Sequence, residues 1–133
     1  MPKTILIVED DADARAIYQE ALTGDGYAVL SAAHGAEGVH LARRHRPDLI
    51  LMDIRMPVMD GWQAVQYLKA DPTISHIPIW GISAYLSDEE LENQADWLQF
   101  NRLIPKPVDP RQLVMQIEEK IGKPPKAPEH QLT

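Results

Sequence analysis

Strand-length apolar runs alternate with helix-period segments five times along this chain, and that alternation limits what it can fold into. The runs are Thr4–Val8, Ala28–Ala32, Leu49–Met52, Ile77–Ile82 and Arg102–Ile104. Helical patterns follow them at Asp13–Leu22, Ala36–His45, Gly61–Ala70, Asp88–Leu98 and Pro110–Ile121. Strand then helix, repeated, predicts a parallel sheet covered on both faces. An eight-unit barrel of this kind needs roughly 250 residues, and the chain has 133. The expected fold is α/β: a three-layer, doubly wound, five-stranded parallel sheet.

Local punctuation supports the boundaries. Gly24-Asp25-Gly26 closes the first helix and opens the second strand. Asp60-Gly61 starts the third helix and Asp71-Pro72 ends it. Ser87 followed by Glu90 is a capping-box pattern for the fourth helix. Asp109-Pro110 places a cap before a proline at the first helical position of the last one. In that helix Leu113, Ile117 and Ile121 share a stripe with Val114 beside them, which marks a core face. From Gly122 the chain turns polar and proline-rich, so residues 1–121 are expected to form one domain and 122–133 a disordered tail.

Composition excludes several classes. There is no cysteine, which removes thiol redox chemistry and thiolate metal sites. A net charge of −7 argues against direct nucleic-acid binding, which needs a basic surface. The apolar run Ile5–Val8 is too short for a signal peptide or a membrane span, so a cytosolic protein with no membrane insertion is expected. The histidines His34, His40, His45, His76 and His130 show no metal spacing and read as surface or structural residues.

The chemistry-bearing residues sit where strands should end. Glu9-Asp10 follows the first strand, Asp53 the third, Ser83 the fourth and Lys106 the fifth. In an open parallel sheet, ligands bind outside the carboxyl ends of the strands, so these residues converge in one crevice. Three crowded carboxylates call for a cation. An all-oxygen set with room for water suits Mg²⁺. A carboxylate beside Mg²⁺ and an ammonium can attack phosphorus and form an aspartyl phosphate. A hydroxyl at Ser83 can donate to a phosphoryl oxygen.

These stretches, Ile5-Leu-Ile-Val-Glu-Asp-Asp11, Asp53-Ile-Arg-Met-Pro-Val-Met-Asp-Gly61, Ile82-Ser-Ala84 and Pro105-Lys-Pro107, closely resemble the receiver domain of bacterial two-component response regulators. The resemblance spans about residues 3–121. It implies the flavodoxin-like, CheY-like strand order 2-1-3-4-5. It implies Asp53 as phosphoacceptor, with Glu9, Asp10, Asp53 and the backbone carbonyl of Arg55 around the metal. Ser83, Ala84 and Lys106 then contact the phosphoryl group, and the Lys106–Pro107 bond is expected to be cis. Arg55 and Tyr85 flank the site and are expected to tune the lifetime of the phosphoaspartate. The implied phosphodonor is a sensor histidine kinase or a histidine phosphotransfer protein. The implied output is protein–protein contact by a stand-alone receiver, through the face made by segment 88–98, the fifth strand and the last helix. Such a chain catalyses only its own phosphorylation and dephosphorylation.

One departure bears on signalling. The family's switch pairs the residue at Ser83 with a Tyr or Phe three residues before the lysine-proline pair, and here that position is Leu103. Trp80 is a large side chain on the fourth strand, and its bulk is expected to fill space near Leu103. Leu103 also keeps open an alternative, a receiver-like interaction module that works without phosphorylation. An aspartate-nucleophile phosphatase would need an acid where Arg55 stands. A flavin-binding protein would need a Ser/Thr/Gly-rich phosphate loop where Glu9-Asp10-Asp11 stands.

Overall fold

The computed structural model describes residues 3–54, 61–83 and 100–124, with the backbone alone at Trp62 and Ser83. In chain order these hold β1 (Thr4–Val8), α1 (Ala12–Gly24), β2 (Ala28–Ala32), α2 (Gly35–His45), β3 (Leu49–Asp53), α3 (Gly61–Ala70), β4 (Ile79–Ser83), β5 (Arg102–Pro105) and α4 (Pro110–Ile121). The strands form one parallel sheet in the order β2-β1-β3-β4-β5. The helix expected at 88–98, its capping box and Trp97 lie outside the described residues, as does 125–133 of the expected tail.

The central strands are buried on both faces, so β1 and β3 read as unbroken apolar runs. On one face Leu6, Val8, Ile50, Met52 and Ile79 pack against Val39 and Ala42 of α2 and Ala64, Val65 and Leu68 of α3. On the other, Ile5, Ile7, Leu49, Leu51, Trp80 and Ile82 pack against Tyr18 and Leu22 of α1 and Leu113 and Ile117 of α4. Val114 and Ile121 flank that second core, as the stripe on the last helix predicts.

Caps set the helix starts. The Asp11 side chain accepts from the N–H groups of Asp13 and Ala14, so α1 begins at Ala12, one residue before the sequence pattern. His34 caps α2 by accepting from the Glu37 N–H through Nδ1, which gives that histidine a structural role. Asp109 accepts from the Arg111 N–H, with Pro110 at the first helical position. At the far end, the Tyr27 hydroxyl donates to the Gly122 carbonyl at 2.9 Å, and Pro124 is buried. No helix among the described residues is long and apolar enough to cross a membrane.

β4 starts at Ile79 rather than Ile77. The Ile77 N–H donates back to the Ile74 carbonyl, Lys69 Nζ takes the carbonyls of Ser75 and Ile77, and Pro78 has no N–H. The Ile74, Ser75 and Ile77 backbone groups are thus committed to a turn, while the Pro78 carbonyl already accepts from the Ile50 N–H of β3 at 3.0 Å, and the Ile77 side chain is buried.

The expectation that Trp80 fills space near Leu103 is wrong, and strand parity explains why. Register pairs Trp80 with Arg102 and Gly81 with Leu103. Successive strand residues point to opposite faces, so Trp80 lies in the α1/α4 core and Leu103 packs on the α2/α3 core. The Trp80 ring is covered by the Arg102 guanidinium, 4.8 Å from the ring centroid, which Gln116 holds at 2.9 Å.

Candidate functional site

β1, β3 and β5 end at the same edge of the sheet and present their next residues to one crevice. Val8 ends β1, and Glu9 continues inward with its N–H on the Ala32 carbonyl at 3.0 Å. Glu9 is 2 % exposed and Asp53, the last residue of β3, 7 %. Asp10 turns to solvent. One carboxylate oxygen from each of Glu9, Asp10 and Asp53 lies within 4.8 Å of the others. Lys106, just past β5, places Nζ 2.7 Å from Glu9 Oε1 and 3.4 Å from Asp53 Oδ2. The Lys106–Pro107 bond is cis.

The charges are unequally matched. Burial, and then the facing Asp53 carboxylate, push the Glu9 carboxyl up to about 8 against the opposing pull of Lys106. Burial by itself would lower the Lys106 ammonium, but the Glu9 hydrogen bond and the Asp53 and Glu9 charges outweigh it and raise its pKa. These two directions pull against each other, since a protonated Glu9 offers Lys106 less charge. The Glu9 direction prevails physically, because burial and the facing carboxylate outweigh what one shared ammonium offsets. Among the described residues, Glu9 Oε2 is buried with no hydrogen-bond partner. An orphaned buried carboxylate oxygen, facing two other carboxylates, fits a hard divalent cation with oxygen ligands.

The sequence reading passed over Arg15 beside the crevice and Phe100 in the core next to it. Arg15 Nη1 donates to the Glu9 carbonyl at 2.8 Å, so both backbone polar groups of Glu9 are held. The signal was available, as a long basic side chain one turn into a helix that opens on acids. Asp11 is the third acid in sequence, but its carboxylate is occupied in capping α1. Phe100 is buried on the Leu103 face of the sheet, and it sits where no strand or helix pattern pointed to it. Ser83 ends β4, in register with Pro105 of the edge strand. Arg55, Ala84 and Tyr85 lie outside the described residues. Leu103 is partly buried on the α2/α3 core.

Known proteins with this arrangement are numerous. The polar-differentiation response regulator DivK of Brucella anthropi is 34 % identical over 124 residues, which cover 92 % of this chain and 98 % of the relative. Among solved structures, the chemotaxis protein CheY4 of Vibrio cholerae superposes with a TM-score of 0.81 at 25 % identity, covering 91 % of this chain and 99 % of that one. The receiver domain of the sensor histidine kinase PA1611 from Pseudomonas aeruginosa has the same TM-score at 32 % identity, covering 92 % of this chain and all of the other. In that structure a magnesium ion is coordinated in the active-site cleft. The response regulator receiver domain family matches residues 5–118. The sheet order, the acidic crevice and this match lead to one conclusion: the chain belongs to the response regulator receiver family.

Proposed function

We propose that the Asp53 carboxylate accepts a phosphoryl group with Mg²⁺ bound beside it, and that the phosphorylated form signals through protein contacts. The observation that carries this reading is the convergence of the Glu9, Asp10 and Asp53 oxygens within 4.8 Å, with Lys106 Nζ reaching two of the three. An Asp53 oxygen attacks phosphorus, the P–N bond of a phosphohistidine donor breaks, and the departing imidazole keeps the electron pair and takes a proton. Lys106 offers a fixed positive charge to the transferring oxygens. Glu9 and Asp10, with Asp53 and the Arg55 carbonyl, would hold Mg²⁺, which supplies Lewis-acid neutralisation of phosphoryl charge when bound. The magnesium in the related Pseudomonas aeruginosa receiver supports that assignment. Ser83 and Ala84 complete the phosphoryl-contacting set.

The donor is a sensor histidine kinase or a phosphotransfer protein in the cytosol. The output face comprises segment 88–98, β5 and α4; its described part includes a cleft lined by Ile104, Pro105, Pro107, Val108, Leu113 and Gln116. Leu103 favours a second reading, an interaction module that signals without phosphorylation, because no ring stands at the usual switch position.

Intact mass after incubation with acetyl phosphate decides between them. One added phosphoryl group is expected with Mg²⁺, none with a chelator and none in Asp53→Asn. A folded wild-type protein that gains no mass, or an Asp53→Asn variant that still gains it, would sink the phosphoacceptor reading.

A further inference from the structure

Gly81 lies in β4, two residues before its end at Ser83, and pairs in register with Met52 on one side and Leu103 on the other. It leaves a gap in one face of the sheet, and the Phe100 ring fills it. A Cβ built on Gly81 would stand 2.9 Å from Phe100 Cδ1, 3.0 Å from Phe100 Cε1 and 3.0 Å from Ile54 Cδ1. The ring therefore rests on the bare backbone at the middle of β4, in the same core as Ile54. Ile54 directly follows Asp53, and its N–H donates to the Ile82 carbonyl at 3.0 Å, tying the end of β3 to β4. Phe100 and Ile54 are both buried.

We infer that Phe100, seated on Gly81 and Ile54, is a positioning residue that sets the spacing between the Asp53 end of β3 and the Ser83 end of β4. The inference rests on Asp53 as phosphoacceptor and adds the element that holds the reacting strands in place. Phe100 also supplies an aromatic ring in the core against which Leu103 packs. The ring acts through the two strands and touches no phosphoryl group. Because packed interiors resist compression, added volume at Gly81 must move the ring, Ile54 or β4 itself. A shift of that size at the reacting strands costs rate steeply.

The test is a packing cycle of Gly81→Ala, Phe100→Leu and the double variant. Phosphoryl uptake from saturating acetyl phosphate is followed by intact mass, and Mg²⁺ affinity by calorimetry. Gly81→Ala is expected to slow uptake by about tenfold, the rate equivalent of the lower overpacking costs. Mg²⁺ affinity is expected to stay within about twofold, since the substitutions alter packing in the α2/α3 core and leave the carboxylates in place. Phe100→Leu alone is expected to slow uptake as well, and the double variant to recover most of the loss because the methyl occupies vacated space. General unfolding would weaken rate and metal affinity together and would show no recovery. If Gly81→Ala does not fold, Phe100→Leu and the double variant carry the comparison. Wild-type rates in Gly81→Ala or Phe100→Leu, or a double variant no faster than either single one, overturn the inference. A wild-type protein that takes up no phosphoryl group at all would instead remove the phosphoacceptor reading, and this inference with it.

Discussion

At the residue scale, Glu9 carries the most consequence because it is buried, acidic and only half satisfied. Its carboxyl is pushed up from 4.5 to about 8, first by burial and then by Asp53. A group that binds its proton more tightly when folded stabilises the fold below its unfolded value and loses that contribution as pH rises through its folded value. The metal-free protein should therefore lose stability between about pH 4.5 and pH 8. Urea denaturation in the presence of a chelator measures this, and Glu9→Gln should show a flatter profile across that window. The comparison with Glu9→Gln isolates the contribution of this one carboxyl from every other source of pH dependence. Identical profiles for the two proteins would contradict the assignment. Glu9 could be named from the sequence because an acid ending an apolar strand has few structural uses. Arg15 carried a weaker signal, a basic side chain one turn into a helix that opens on acids, because its contact is with a backbone carbonyl that no side-chain pattern specifies.

At the scale of elements, the approach of α2 to β1 is set by Gly38. A Cβ there would stand 2.6 Å from Cγ2 of Val8 and 3.1 Å from Cγ1. Val8 is fully buried and β-branched, so it has no other rotamer to adopt cheaply. Gly38→Ala thus sets two effects against each other. Helix propensity favours alanine by about 1 kcal/mol, and overpacking a rigid contact costs about 1–3 kcal/mol. The second should win, with a net loss of about 1 kcal/mol in denaturant midpoints at unchanged slope. A more stable Gly38→Ala variant would show that α2 can slide outward without penalty. The position of α2 was legible from its periodicity, but the closeness of its contact was not, since a glycine inside a helix pattern says only that something is near. The same limit explains the Trp80 error. Bulk on adjacent strands was matched without the register, and a one-residue difference in pairing puts two side chains on opposite faces of a sheet. Where hydrogen bonds are local, as in the caps at Asp11 and Asp109, the sequence reading and the structure agree within a residue. The start of β4 escaped because Lys69 reaches eight residues ahead to close a turn.

For the whole molecule, two apolar cores lie on the faces of the sheet while unneutralised acid gathers at one edge of it. The proposed Mg²⁺ would complete that edge with a charge the protein's own Lys106 supplies only in part. Two-sided burial and the convergence of Glu9, Asp53 and Lys106 followed from the alternation of runs and the strand-end rule, whereas the strand order came from the family resemblance. What the alternation could not supply was side-chain registry across strands, which depends on where each turn closes. A cation that binds only the folded state must stabilise the whole molecule by mass action. Above its dissociation constant each tenfold rise in Mg²⁺ should add about 1.4 kcal/mol, reaching about 2.7 kcal/mol at a hundredfold excess. Denaturation midpoints across a Mg²⁺ series should trace that slope, and Asp10→Asn should flatten it, since Asp10 is the exposed member of the acid cluster and has no core role to lose. Potassium chloride at matched ionic strength separates site binding from general screening of a chain with net charge −7. An equal rise in potassium would mean that the acidic edge is merely screened; a slope specific to magnesium and dependent on Asp10 would mean that the crevice is built to be filled.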